Sequence, residues 1–184
     1  MILPGLARLP GRRRSRFNRV PSPAVAYLLP WLSVALASFA ATLALIGAVP
    51  LMPPLGFLMI LGWRQLRPGL LPVWAGIPLG LVDDGLSGQP PGSAVLLWSA
   101  ALIALEAIEW RWPWRNFLLE WMVAGVIIAI YILFAVVLAG GLGQAGMVDA
   151  IAPQAGIAIL AYPLVARLVT WCDRLRLIPL RTLR

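Results

Sequence analysis

Few residues in this chain could do chemistry, and they are unevenly placed. Seven carboxylates stand against fifteen basic residues, every one an arginine, and there is no histidine. This composition removes the His-based nucleophile triad, the His metal site and the HExxH motif. Cys172 is the single cysteine, so no intrachain disulfide can form. The densest polar stretch is residues 80–92, reading Gly-Leu-Val-Asp-Asp-Gly-Leu-Ser-Gly-Gln-Pro-Pro-Gly. Its adjacent acids, Asp83 and Asp84, would hold a metal or share a proton only if both carboxylates converged. Neighbouring helical residues point apart, and no other ligand stands nearby. The stronger reading is a turn closed by a carboxylate. Gly80, Asp84 and Gly88 are spaced i, i+4, i+8 and share a face if that stretch is helical. The small residues let another backbone approach, and Asp84 then accepts hydrogen bonds from the N–H groups that open the next helix near Ser93.

The remaining acids sit beside arginines. Glu106 and Glu109 lie three apart, Glu120 follows shortly after, and Arg111 and Arg115 are placed to pair with them. Asp173 adjoins Arg174 as a surface pair, and Asp149 is placed to cap a helix beginning near residue 151. Trp110, Trp112 and Trp114 interleave with Arg111, Pro113 and Arg115. With Arg64 and Arg67 they form either an interfacial aromatic belt with snorkelling arginines or a docking patch for a partner. Gly140, Gly141 and Gly143 follow a helix rather than a strand, so they read as a turn and not a phosphate loop.

The elements that position these residues are membrane spans. Hydrophobic residues make up 61% of the chain and charged ones 12%, against about 45–50% and about 25% in soluble domains. Mean hydropathy is +0.87. A soluble fold of this length could not hide that much apolar surface, so the expected fold class is all-α integral membrane. Candidate spans cover residues 24–49, a short proline-bounded segment from 51 or 55 to 63, then 69–86, 93–108, 117–139 and 151–171. The first is too long for a cleaved signal sequence. Residues 1–22 form an Arg-rich tail, 23–172 the six-helix transmembrane domain and 173–184 a second basic tail.

Loop charge alternates. Arg8 to Arg19 precede span one, Arg64 and Arg67 follow span two, Arg111 and Arg115 follow span four, and Arg167 to Arg184 close the chain. The intervening loops carry no basic residue. The positive-inside rule then places both termini in the cytoplasm, with six crossings. The alternation supports a crossing by the short second segment; the alternative is five spans. The net charge of +8 is read as orientation and attraction to anionic lipid at the cytoplasmic face, not as nucleic-acid binding. Small-residue stripes (Ala35, Ser38, Ala41 and Thr42; Ala124, Gly125 and Ala129; Gly156, Ala158 and Ala161) suit helix packing or a groove for a partner's single helix.

The pattern Gly80…Asp84…Gly88-x-Pro90-x-Gly92, after Arg67-Pro68 and an apolar span, resembles that of MreD, the rod shape-determining membrane protein family. Asp84 falls on the family's acid. Asp83 is an additional carboxylate at a position that is usually apolar, and Pro91 stands where leucine is usual. The motif covers residues 68–92, and span layout extends the likeness over most of the chain. The resemblance implies a non-catalytic scaffold in the bacterial inner membrane, without cofactor or metal. It implies binding to MreC and association with MreB, RodZ, RodA and a class B penicillin-binding protein in lateral peptidoglycan synthesis. It also implies a fold similar to the six-helix substrate-binding subunits of energy-coupling-factor vitamin transporters. The same architecture supports a second reading, a small-molecule-binding transporter subunit, which would need a polar cavity on its outer side.

Overall fold

The computed structural model describes residues 23–46, 52–111, 116–140 and 147–176. Among these the secondary structure is entirely helical. The helices are α1 (Pro23–Ile46), α2 (Leu55–Leu66), α3 (Gly76–Ser87), α4 (Ser93–Arg111), α5 (Phe117–Leu138) and α6 (Met147–Arg176), with a 3-10 turn at Val73–Ala75 before α3. α1, α4, α5 and α6 are long and apolar enough to cross a membrane. Their outward faces carry Leu36, Phe39, Ile103, Val126, Ile130, Leu160 and Leu164, all exposed. A continuous apolar exterior of this kind suits lipid.

The short α2 is the centre of the bundle. Every residue from Gly56 to Gln65 is buried. α2 packs on α1 and α6, and touches α4 and α5. Twelve residues make a rod of about 18 Å, well short of a hydrocarbon core of about 30 Å. A helix sheathed on all sides by longer helices need not match the bilayer itself. Up to Trp63 its sequence is apolar all round, as a fully surrounded helix requires. α3 is equally short and lies outside α2, packed on α1 and α4.

Boundaries differ from the sequence expectation at three places. The third span was expected to start at 69, but the chain turns through residues 67–72 and becomes helical only after Pro72. Pro72 has no N–H to give a helix, and it biases Leu71 away from helical geometry. α6 begins at Met147, so Asp149 stands inside the first turn and not ahead of it. α6 also continues through Arg176, so residues 173–176 belong to the helix and not to a tail. The Arg-rich segment 1–22 and residues 177–184 lie outside the described residues.

Two prolines inside helices are compensated in the same way. Pro163 in α6 cannot donate to the carbonyl four residues back, Ile159, and the Trp121 indole of α5 donates to that oxygen at 3.0 Å. Pro30 in α1 likewise leaves the Ala26 carbonyl open, and Arg176 of α6 donates to it at 3.3 Å. Where lipid offers no donor, a neighbouring helix supplies one. Trp63 of α2 adds a third tie, donating to Ser33 Oγ of α1 at 2.8 Å.

Candidate functional site

The carboxylate-closed turn is present. α3 ends at Ser87, and Gly88 takes the left-handed conformation (φ 67°) that terminates it. The chain then turns through Pro90 and Gly92 into α4, with Ser93 N donating to the Pro90 carbonyl at 3.0 Å. Asp84 is buried under this turn. Its Oδ2 accepts from Gly92 N at 2.8 Å, and its Oδ1 from Ala94 N at 2.8 Å and Ser93 Oγ at 3.1 Å. Val95 N approaches Oδ2 at 3.5 Å. These are N–H groups that a helix start leaves without partners, and the positive end of the α4 dipole favours the carboxylate.

The small-residue face is shifted by one turn from the expectation. Gly88 stops the helix and does not share its face. The close approach is made by Gly76 and Gly80. A Cβ at Gly80 would lie 2.7 Å from Val95 N and Cα, and one at Gly76 2.8 Å from Ser99 N. The Gly76-x-x-x-Gly80-x-x-x-Asp84 row therefore seats the backbone of α3 on that of α4, with the acid at the end of the row. Asp84 is saturated with donors, so it is not placed for metal binding or proton transfer. No group of three metal-binding side chains occurs among the described residues.

Asp83 points elsewhere, toward the Ser38 hydroxyl of α1 and within electrostatic reach of Tyr131 of α5. Ser38 is buried against Gly56, the only residue type whose absent side chain leaves it room. Phe57 of α2 stacks on Tyr131 at 3.9 Å and meets Trp98 of α4 at 6.1 Å. A cavity of about 180 Å³ lies at this end of the bundle, with Gln89, Tyr131 and Gln154 in its lining and aliphatic residues elsewhere.

The opposite end gathers Arg64 of α2, Arg67 just after it and Arg176 of α6. Arg64 is 5% exposed and reaches Glu109 at 3.2 Å and Glu106 at 3.5 Å, so α2 supplies a charge facing those acids. Its Nη1 also approaches the Leu71 carbonyl at 3.5 Å. Asp173 is buried, not a surface partner of Arg174; it accepts from Arg67 at 2.9 Å and pairs with Arg176 at 2.8 Å. Gln65 donates to the Glu120 carbonyl at 3.1 Å and accepts from the Tyr162 hydroxyl. Trp63, beside Arg64 near the end of α2, is fully buried.

Of the expected docking patch, Arg64, Arg67 and Trp110 lie among the described residues. Arg64 is internal and Arg67 is tied to Asp173. Trp110 is 85% exposed at the end of α4. Trp112, Trp114 and Arg115 lie outside the described residues. Of the small-residue stripes, Ser38, Ala124, Gly125 and Ala158 are buried in helix packing, while Gly156 is exposed with open space around it.

No family model, curated protein or solved structure matches the chain. Sequence reasoning missed Gly76, although Gly76-x-x-x-Gly80 is a small-residue motif visible in the sequence. It also missed the Asp173–Arg176 pair, spaced i, i+3 on α6, and the Arg64–Glu109, Arg67–Asp173 and Gln65–Tyr162 contacts, whose partners are far apart along the chain and leave no local signal.

Proposed function

We propose that this chain is a non-catalytic, MreD-like scaffold of the bacterial inner membrane. It crosses six times with both termini cytoplasmic, and it holds MreC and other elongation proteins for lateral peptidoglycan synthesis. The observation that carries this reading is the use made of residues 80–92. The stretch that resembles the MreD motif is the one that closes the α3–α4 hairpin, with the motif acid Asp84 under the turn. The arginine alternation supports the orientation. The described ends following α2, α4 and α6 meet through Arg64, Arg67, Glu109 and Asp173 at one end, and Asp84 lies toward the other. In this reading the arginine end faces the cytoplasm and the Asp84 turn the periplasm. α2 crosses as a sheathed segment within the bundle. Energy-coupling-factor-type architecture and association with MreB, RodZ, RodA and a class B penicillin-binding protein are parts of the same proposal.

Depletion of the chain in its native host tests this. Cells are expected to widen and round, with wall labelling lost from the side walls and regained on re-expression. Normal width together with lost uptake of a small nutrient would overturn the scaffold reading. One observation favours that second reading, a vitamin-type binding subunit: the cavity of about 180 Å³ with Gln89, Tyr131 and Gln154 at the Asp84 end.

A further inference from the structure

The cavity of about 180 Å³ at the Asp84 end lies among the entry to α2, the α3–α4 turn, α5 and α6. Ile132, Ala135 and Val136 give it aliphatic walls. Three uncharged polar residues complete its lining, Gln89 from the turn, Tyr131 from α5 and Gln154 from α6. Two of the three are held in place. Tyr131 is 5% exposed, and its ring stacks on Phe57 at 3.9 Å. Gln89 lies 3.4 Å from Ser93 Oγ, beside the carboxylate-closed turn. Gln154 differs from both. It is half-buried in the apolar stretch of α6, and its carboxamide makes no hydrogen bond with a described residue. A carboxamide in such surroundings is costly without a partner, and an occupant of the cavity supplies one.

The lining sets the chemistry of that occupant. No acid or arginine is among the described residues lining the cavity, so an ionised ligand would enter unpaired. The aliphatic walls suit the faces of a ring. The volume is a little above the about 150 Å³ that holds benzene in an engineered protein cavity, so one six-membered ring with small substituents fits. A primary carboxamide presents an acceptor and a donor side by side. Its complement is an N–H and a C=O on one edge. An open-chain secondary amide is trans and points these two groups apart. A ring holds them together. The Gln89 carboxamide and the Tyr131 hydroxyl can then meet a second carbonyl or N–H of the same ring.

We propose that this cavity binds a neutral single-ring compound with a cyclic amide edge. The amide edge pairs with Gln154, and the ring faces lie against Ile132 and Val136. The proposal rests on the reading of this cavity as a small-molecule site, and it names the class of molecule.

The test is isothermal titration of the purified full-length chain with uracil, 1,3-dimethyluracil, benzoate and benzylamine. Uracil is expected to bind. The dimethyl compound keeps the ring but has no N–H, and it is expected to bind at least tenfold more weakly. The two charged rings are expected to bind more weakly still. Gln154→Leu is expected to weaken uracil binding roughly tenfold, the scale of one or two lost hydrogen bonds, and to erase the preference over the dimethyl compound. Met122→Ala, on the exposed face of α5, is expected to change nothing. Binding of uracil with unchanged nutrient uptake on depletion supports the proposal and defeats the transporter reading. Lost uptake with no binding of uracil defeats the proposal and leaves the transporter reading standing. Equal affinity for the two pyrimidines, tighter binding of a charged ring, or a Gln154→Leu effect no larger than that of Met122→Ala overturns the proposal.

Discussion

Asp84→Asn replaces one acceptor oxygen with an amide that faces backbone N–H groups already pointing inward. The loss of a charge-assisted bond and the unsatisfied donors are expected to cost about 2–3 kcal/mol, read as a lower melting temperature of the purified protein. Asp83→Asn is expected to change stability by less than about 1 kcal/mol, since that acid completes no bond to the α4 start. Equal losses from both would show that the motif register is wrong. Gly80→Ala forces a Cβ into the Val95 backbone and is expected to destabilise by about 1–3 kcal/mol. Gly85→Ala meets nothing within 4 Å and is expected to stabilise by up to about 1 kcal/mol. The Asp84 turn was legible in the sequence because every participant lies within 20 residues. The Arg67–Asp173 pair, 106 residues apart, was not. Position 173 next to Arg174 instead suggested a weak local pair, and only the fold reveals that α6 brings it to the end of α2.

Each helix shows what its own composition can and cannot disclose. The apolar lengths of α1, α4, α5 and α6 were readable as spans, because length and hydropathy are properties of one segment. The central position of α2 was not, since burial on all sides depends on which helices surround it; loop charge suggested only a crossing by the segment. Proline compensation couples elements in a way that can be measured. Trp121→Phe removes the donor to the Ile159 carbonyl and is expected to cost about 1 kcal/mol. In a Pro163→Ala background the α6 ladder can satisfy that carbonyl itself. The Trp121→Phe cost is then expected to shrink, giving a coupling of about 0.5–1 kcal/mol in a double-mutant cycle. An additive result would mean that the indole acts by packing alone.

The whole molecule is an apolar bundle with two chemically distinct ends, and the proposed orientation makes a topological prediction. With Cys172 replaced by Ser, single cysteines at Ser87 and at Gly69 are expected to react with a membrane-impermeant thiol reagent from opposite sides of the membrane, Ser87→Cys from the periplasm. The reverse pattern, Ser87→Cys labelled from the cytoplasm and Gly69→Cys from the periplasm, would favour the five-span threading, in which the segment of α2 does not cross. Hydropathy made the helices long and apolar enough to cross a membrane legible, because the bilayer acts on composition directly. The proposed function rests on residues 80–92 alone, since partner contacts leave no comparable pattern on a lipid-facing surface. The most direct measurement of the scaffold account is mild solubilisation of the chain from its native membrane, followed by identification of the proteins that copurify. The account predicts an MreC-like single-span partner with other elongation proteins. Recovery of a transporter ATPase pair with no such partner would contradict it.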